Sequence, residues 1–225
     1  MRQTPDISFE MALWSAGADF VAGVDEAGRG AWAGPVAAGA VILPSRADLQ
    51  ACLPGVRDSK QMTPAQRAAW AGKIRELALA WGVGMASAEE IDDLGIVPAT
   101  RLAMQRALEQ LRPAPQQLLV DAVRLPRVNF PQRALIKGDA RVLSIAAASV
   151  LAKTARDALM VELDGQFPGY SLARHKGYGT ALHQQALAQL GPCAIHRKTF
   201  APIRRLVNEL PLFSEKSLGV YAAVP

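Results

Sequence analysis

Two adjacent carboxylates, Asp25 and Glu26, follow directly on the apolar run Phe20-Val21-Ala22-Gly23-Val24, and the loop Gly28-Arg29-Gly30 comes straight after them. An apolar run of this kind reads as a buried strand. Charges near a buried strand are costly unless they are paired or bind metal. The segment therefore reads as a strand that delivers carboxylates to a site. The glycines beside it let another molecule approach the backbone closely.

The rest of the chain alternates helix and strand signals. A second strand is expected over 36–43, ended by Pro44. Thr63-Pro64-Ala65-Gln66 has an N-cap and a proline at the first helical position, predicting a helix to about Leu79. A strand over 81–86 comes next, then a short helix opened by the capping box Ser87-Ala88-Glu89-Glu90. Helical apolar spacing covers 98–111, and Pro113 and Pro115 break the chain. Strands are expected at 118–121 and 134–137. An Ala-rich helix runs from Val142 to about Leu163, and helices follow near 180–190 and 202–210. The pattern predicts an α/β domain, a mixed sheet flanked by helices. Ligands in such folds collect at strand ends. Asp25, Glu26, Asp121 and Asp139 all lie at or just after predicted strand ends.

Four carboxylates without a histidine or cysteine cluster point to hard, oxygen-loving cations such as Mg²⁺ or Mn²⁺. Four unpaired acids would repel each other and raise one another's pKa values. Two ions about 3.5–4 Å apart remove that problem and form the clamp used in phosphodiester hydrolysis. A glycosidase would need two acids in an aromatic-rich cleft, and aromatics are only 6% here. Singly, each acid has an ordinary explanation. Asp121 and Asp139 read as turn acids, Asp139 also as a cap for the helix after it, and Asp157 as an ion-pair partner of Arg156 or another base. The P-loop reading of Gly23 to Gly28 fails, because Arg29-Gly30 stands where Lys and Ser or Thr are needed.

The net charge of +5 favours a polyanionic partner. From Gln166 to Asn208 there is no Asp or Glu, while Arg174, Lys176, Arg197, Lys198, Arg204, Arg205 and all three histidines fall there. That window reads as a phosphate-facing surface. With 225 residues and no membrane-spanning run, one large cytoplasmic domain is expected, and Cys52 and Cys193 read as reduced thiols.

From Phe20 to Leu206 the chain resembles the bacterial ribonuclease HII family. The match rests on Gly23-Val24-Asp25-Glu26-Ala27-Gly28-Arg29-Gly30, Asp58-Ser59-Lys60, Asp121 after Leu118-Leu119-Val120, Lys137-Gly138-Asp139, the run from Ser144 to Lys153, and His175-Lys176-Gly177-Tyr178-Gly179-Thr180. The resemblance implies a ribonuclease H-like fold with a helical C-terminal part. It implies hydrolysis of RNA in RNA–DNA hybrids and incision 5′ to ribonucleotides embedded in duplex DNA, leaving 3′-hydroxyl and 5′-phosphate ends. It implies Asp25, Glu26, Asp121 and Asp139 as catalytic ligands of two Mg²⁺ or Mn²⁺ ions. The Gly28-Arg29-Gly30 backbone would read the 2′-hydroxyl, the group that separates RNA from DNA, and Tyr178 would stack on the junction sugar.

Lys60, Lys153, Arg174, Lys176, Arg197 and Lys198 are candidates for phosphate contacts, and His175 joins the expected substrate-binding set. Tyr178, between two glycines, is expected on a flexible, exposed loop. The implied organisation is an N-terminal extension (1–19), a catalytic domain (20–210) and a tail (211–225), acting as a monomer. The chain departs from the family pattern at Ala31-Trp32, where proline is usual, at Ala122-Val123, where Gly-Asn is usual, and at Gln61, where a second lysine is common. Two rival readings stand beside this one: another nuclease of the same fold class, such as a junction resolvase or DNA integrase, and a non-catalytic nucleic-acid-binding module.

Overall fold

The computed structural model describes residues 4–209. The predicted tail from 211 lies outside them. In chain order the elements are α1 (Ser8–Ser15), β1 (Val21–Ala27), β2 (Val36–Ile42), α2 (Leu49–Cys52), α3 (Pro64–Leu77), β3 (Ala80–Ala86), α4 (Ala88–Leu94) and α5 (Ile96–Leu108). They continue with β4 (Gln117–Asp121), β5 (Gln132–Leu135), α6 (Leu143–Gln166), α7 (Leu172–His175), α8 (Ala181–Leu190) and α9 (Ala201–Glu209). The predicted N-cap Thr63 and the predicted capping box at Ser87 both form, and the Thr63 cap is a full capping box as well. Thr63 and Gln66 exchange bonds at the start of α3, as do Ser87 and Glu90 at the start of α4.

The strands make one mixed sheet in the order β3-β2-β1-β4-β5. β1 pairs antiparallel with β2 and parallel with β4. Alternate residues of β1 point to opposite faces. Ala22 and Val24 join the core under α5, with Ala103, Met104 and Ala107. The other face is covered by α6, which lies so close that a Cβ on Gly23 would fall 2.2 Å from the Ser144 carbonyl carbon. Gly39 on β2 meets the Ala148 carbonyl in the same way, at 2.3 Å. The small residues of α6 let it sit flat on the centre of the sheet.

Two expectations are corrected here. β1 does not stop before the acids: Asp25 and Glu26 lie inside it, paired with Gly39 and Ala38 of β2. The neighbouring strand extends the ladder past the apolar run. Asp139 does not cap α6; it lies in a 3-10 turn, Gly138–Ala140. The N-terminus of α6 is instead met by Glu10 of α1, whose buried carboxylate accepts from the Ser144 N–H at 2.8 Å. α1 is thereby tied to the sheet's covering helix, and Phe9, Leu13 and Trp14 pack beside Val21 and Ile145. Among the described residues, no helix is long and apolar enough to cross a membrane.

Candidate active site

β1 and β4 run parallel in a register that sets Val24 beside Val120, so Asp25 and Asp121 follow side by side at the same end of the sheet. By strand alternation both carboxylates leave on the face covered by α6. Asp121 then accepts from the Gly138 N–H at 2.7 Å, which folds the next connection back and brings Asp139 to the same end. Asp25 is 4% exposed and Asp139 8%. Asp25 accepts from the Glu26 N–H at 2.7 Å, and Glu26 meets Arg29 Nη1 at 3.3 Å through one oxygen. Its other oxygen, Oε2, is buried without a hydrogen-bond partner.

All four acids are pushed above their ordinary pKa range. Burial is the largest cause for each. Asp25 is raised well above that range, because the charges of Glu26 and Asp121 add to burial. Arg29 offsets part of the effect at Glu26. Asp139 is raised further by Asp58 and Asp121. Lys60 faces this group: partial burial pulls its amine down, but Asp58, Asp25, Asp139 and Glu26 together raise it. Among the described residues no three His, Cys, Asp or Glu side chains already close into a metal-holding geometry. The acids do fit divalent cations in other respects. They are hard oxygen donors of one sign in a buried place, and one donor atom has no protein partner.

Two further contributors lie outside the predicted set. Asp58 acts on both Asp121 and Asp139. Ser149, on α6, acts on Asp25 by pulling its carboxyl down, and it shares a hydrogen bond with the Ser59 hydroxyl at 2.9 Å. Asp58 is readable as part of Asp58-Ser59-Lys60. Ser149 is readable only as part of the run from Ser144 to Lys153, since a serine among alanines carries no local signal of a role.

A family model described as Ribonuclease HII matches residues 22–203. The chain belongs to the ribonuclease HII family. Similar curated relatives include the ribonuclease HII of Roseiflexus castenholzii, 54% identical over 200 residues that cover 88% of this chain and 89% of the relative. The ribonuclease HII of Synechococcus sp. is 54% identical over 202 residues, 90% of each chain. Among solved structures, the ribonuclease H2 of Pyrococcus horikoshii superposes with a TM-score of 0.70 at 27% identity, covering 84% of this chain and 97% of that one. The Archaeoglobus fulgidus ribonuclease HII, solved as a complex with PCNA, gives 0.67 at 26% identity and covers 80% and 95%. The mixed sheet flanked by helices is thus the ribonuclease H2 fold.

The loops of the ribonuclease HII family motif lie next to the acids but are built differently from the sequence expectation. Gly28 has φ +89, and a Cβ there would fall 2.0 Å from Arg156 Nε, so this glycine is demanded by packing. Gly30 is exposed, and a methyl group there would meet nothing within 4 Å, so packing does not demand a glycine at this position. Tyr178 is half-buried rather than loose. Its ring has Lys153 Nζ at 5.2 Å and Arg156 Cζ at 5.5 Å, and the Gly177 carbonyl accepts from the Trp32 N–H at 2.8 Å.

The predicted basic surface divides. Lys60, Arg174 and Lys198 are exposed. Lys153 gives its amine to Asp157 at 2.7 Å while facing Tyr178, and the Lys176 amine donates to the Ala173 carbonyl. Asp157 takes Arg67 as its second partner at 3.0 Å, not Arg156. Arg197 is fully buried and cannot meet a phosphate. The three histidines are buried as well. His175 donates from Nε2 to the Tyr170 carbonyl at 2.7 Å, accepts from the Gly177 N–H at Nδ1, and stacks on His183 at 4.3 Å. It supports the Tyr178 loop from behind instead of facing a substrate.

An apolar cavity of about 430 Å³ lies elsewhere, between α5 and the β4–β5 connection, lined by Leu102, Leu125 and Val128 among others. None of the four acids lines it; Glu26 and Asp121 are partly exposed at their end of the sheet, while Asp25 and Asp139 are buried.

Proposed function

We infer that this chain is a metal-dependent endoribonuclease that cleaves the RNA strand of RNA–DNA hybrids and incises 5′ to ribonucleotides embedded in duplex DNA, leaving 3′-hydroxyl and 5′-phosphate ends. The observation that carries this reading is the convergence of Asp25, Glu26, Asp121 and Asp139 at one end of two neighbouring parallel strands, directly before the Gly28–Gly30 loop. A binding module would gain nothing from four raised acids, since unneutralised carboxylates repel phosphates. A resolvase or integrase would have no use for a backbone loop and an aromatic ring placed to read one sugar.

Asp25, Glu26, Asp121 and Asp139 would hold Mg²⁺ or Mn²⁺, with the unpartnered Glu26 oxygen among the donors. When bound, such ions neutralise the acids, acidify water and stabilise charge on a phosphodiester. The protein's own residues do the rest. The Gly28–Gly30 backbone approaches the ribose, and Gly30 keeps that approach open. Tyr178, with Lys153 and Arg156 of α6 against its ring, presents that ring to the junction sugar. Lys60 places a positive charge over the acids and near an incoming phosphate. No side-chain nucleophile is required. A cytoplasmic monomer with a catalytic domain over 20–210 belongs to the same reading.

The test is cleavage of a DNA duplex containing one ribonucleotide, set against the all-DNA duplex of the same sequence, with Mg²⁺ or Mn²⁺. Incision 5′ to the ribonucleotide and no cutting of the all-DNA duplex is the expected result. Equal cutting of both would remove the 2′-hydroxyl reading. Binding without cutting of either would favour the binding module.

A further inference from the structure

Arg156 and Arg197 are each 0% exposed, and neither forms an ion pair among the described residues. A buried charge is costly unless its donors are satisfied. Here all six guanidinium nitrogens donate to backbone carbonyls. Arg197 holds Gly34 at 3.0 Å, Arg29 at 2.8 Å and Gly28 at 2.8 Å. Arg156 holds Pro35 at 2.8 Å, Ala33 at 3.0 Å and Lys176 at 2.9 Å.

The acceptors are not scattered. Five belong to the 28–35 segment, and the sixth, Lys176, lies two residues before Tyr178. Arg156 also sits under the Tyr178 ring and presses on Gly28, where no side chain fits. A backbone strap runs alongside: the Trp32 N–H donates to the Gly177 carbonyl, and the Arg197 N–H donates to the Trp32 carbonyl, both at 2.8 Å. The Trp32 ring fills the space over Gly179, where a Cβ would fall 2.2 Å from it. Ala31-Trp32, the departure from the family pattern, is therefore part of the same joint.

We propose that Arg156 and Arg197 are positioning residues that lock the Gly28–Gly30 loop and Tyr178 into one rigid reader of the ribose junction. The proposal rests on the functional reading above, in which those two groups meet the substrate. Neither arginine touches nucleic acid; each acts through the carbonyls it holds. The planar guanidinium serves three fixed acceptors at once, which a lysine amine on a flexible stem does not reproduce. Telling a 2′-hydroxyl from a hydrogen depends on one contact, and a misplacement of about 1 Å is enough to lose about 100-fold in rate.

The experiment compares wild type with Arg156→Lys and Arg197→Lys on a single-ribonucleotide duplex and on duplexes with a 2′-modified sugar at the same place. We expect kcat on the ribonucleotide duplex to fall about 100-fold while KM changes by no more than roughly threefold, because exposed phosphate contacts remain. The preference for ribose over a 2′-fluoro sugar should shrink in parallel. Met104→Ala, a core change under the opposite face of the sheet, serves as the stability control: it should lower Tm and leave that preference intact. Lysine variants that lose Tm but keep the wild-type preference would overturn the proposal. If both fail to fold, Gly179→Ala forces Trp32 away from the Tyr178 loop without altering either arginine, and an unchanged preference in that variant overturns it equally. A wild type with no preference for ribose would overturn the functional reading and the proposal together. A discriminating wild type with equally discriminating variants overturns the proposal alone.

Discussion

Asp25 is the most deeply buried of the four acids, and its neighbours Glu26 and Asp121 are of the same sign. Replacing it with asparagine keeps the shape and removes the charge that a divalent cation would meet. Asp25→Asn should lower cleavage at least about 10³-fold, or about 4 kcal/mol in the barrier, while duplex binding measured by fluorescence anisotropy holds or improves. Near-wild-type turnover would take Asp25 out of the proposed ligand set. Ala122, directly after Asp121, carries a different burden: its φ is +50, in the left-handed region. A Cβ there costs about 1–2 kcal/mol, of which roughly half is returned as unfolded-state entropy when glycine is introduced. Ala122→Gly should therefore stabilise the fold by about 0.5–1 kcal/mol, read from the urea midpoint; no gain would mean the strain is relieved elsewhere. The departure from Gly-Asn is visible in the sequence, but its backbone cost is not, because φ is set by how β4 hands over to the loop beside Gly138. The acids are legible singly and as a pattern. Their convergence depends on the parallel register of β1 and β4, which no local signal states.

The elements are largely legible, because caps, prolines and apolar spacing are local. What escapes is the inside of the C-terminal window, where one-sign composition suggests a surface. On α6, Arg156 follows Ala148 and Ala152 and precedes Met160 at four-residue steps, so it lies on the buried stripe, and that spacing is the available signal. The three histidines behind the Tyr178 loop have a similar logic. His183 Nδ1 faces the Tyr178 carbonyl at 3.1 Å and so carries hydrogen. His196 Nδ1 accepts from the Cys193 N–H at 2.9 Å, leaving its Nε2–H to donate to His183 Nε2 at 3.0 Å. This arrangement works only with both rings neutral. Burial accordingly pushes His183 and His196 down to about 4 from an ordinary 6.5. A depressed folded pKa means that the unfolded chain takes up protons first as pH falls. The contribution is complete above pH 6.5 and is lost progressively from there to about pH 4. It changes by at most ~1.4 kcal/mol per pH unit for each ring. His196→Gln should flatten this share, so the stability gap between wild type and variant should narrow between about pH 7 and about pH 4.5 in urea titrations. A gap independent of pH would mean the rings are not neutral in the folded protein.

At the scale of the whole molecule, a chain of net charge +5 concentrates Asp25, Glu26, Asp121 and Asp139 at one end of its central sheet. The positive remainder suits a polyanionic duplex, and the acidic point within it suits a duplex only when cations are present. If these acids hold cations as proposed, the same arrangement couples folding to metal. Each of the four acids has its folded pKa raised from an unfolded value of 3.8 or 4.5, mainly by burial. A raised folded pKa means that the folded protein holds these protons more tightly than the unfolded chain. Their contribution is therefore favourable below about pH 4 and is lost as pH rises through the folded values. In chelator, the carboxylates should make the protein less stable at about pH 8 than the remaining groups alone would. Mg²⁺ or Mn²⁺ should restore that loss, since a ligand at about 100 times its Kd adds about 2.7 kcal/mol, or about 5–10 °C in Tm for a chain of this size. Asp25→Asn supplies the internal check. It removes the most strongly perturbed charge, so its Tm in chelator should exceed that of wild type at that pH, and its gain on adding metal should be smaller. Scanning calorimetry of both proteins with and without metal measures the four values. A wild type whose Tm is indifferent to metal there, or a variant that gains as much as wild type, would separate these carboxylates from cation binding.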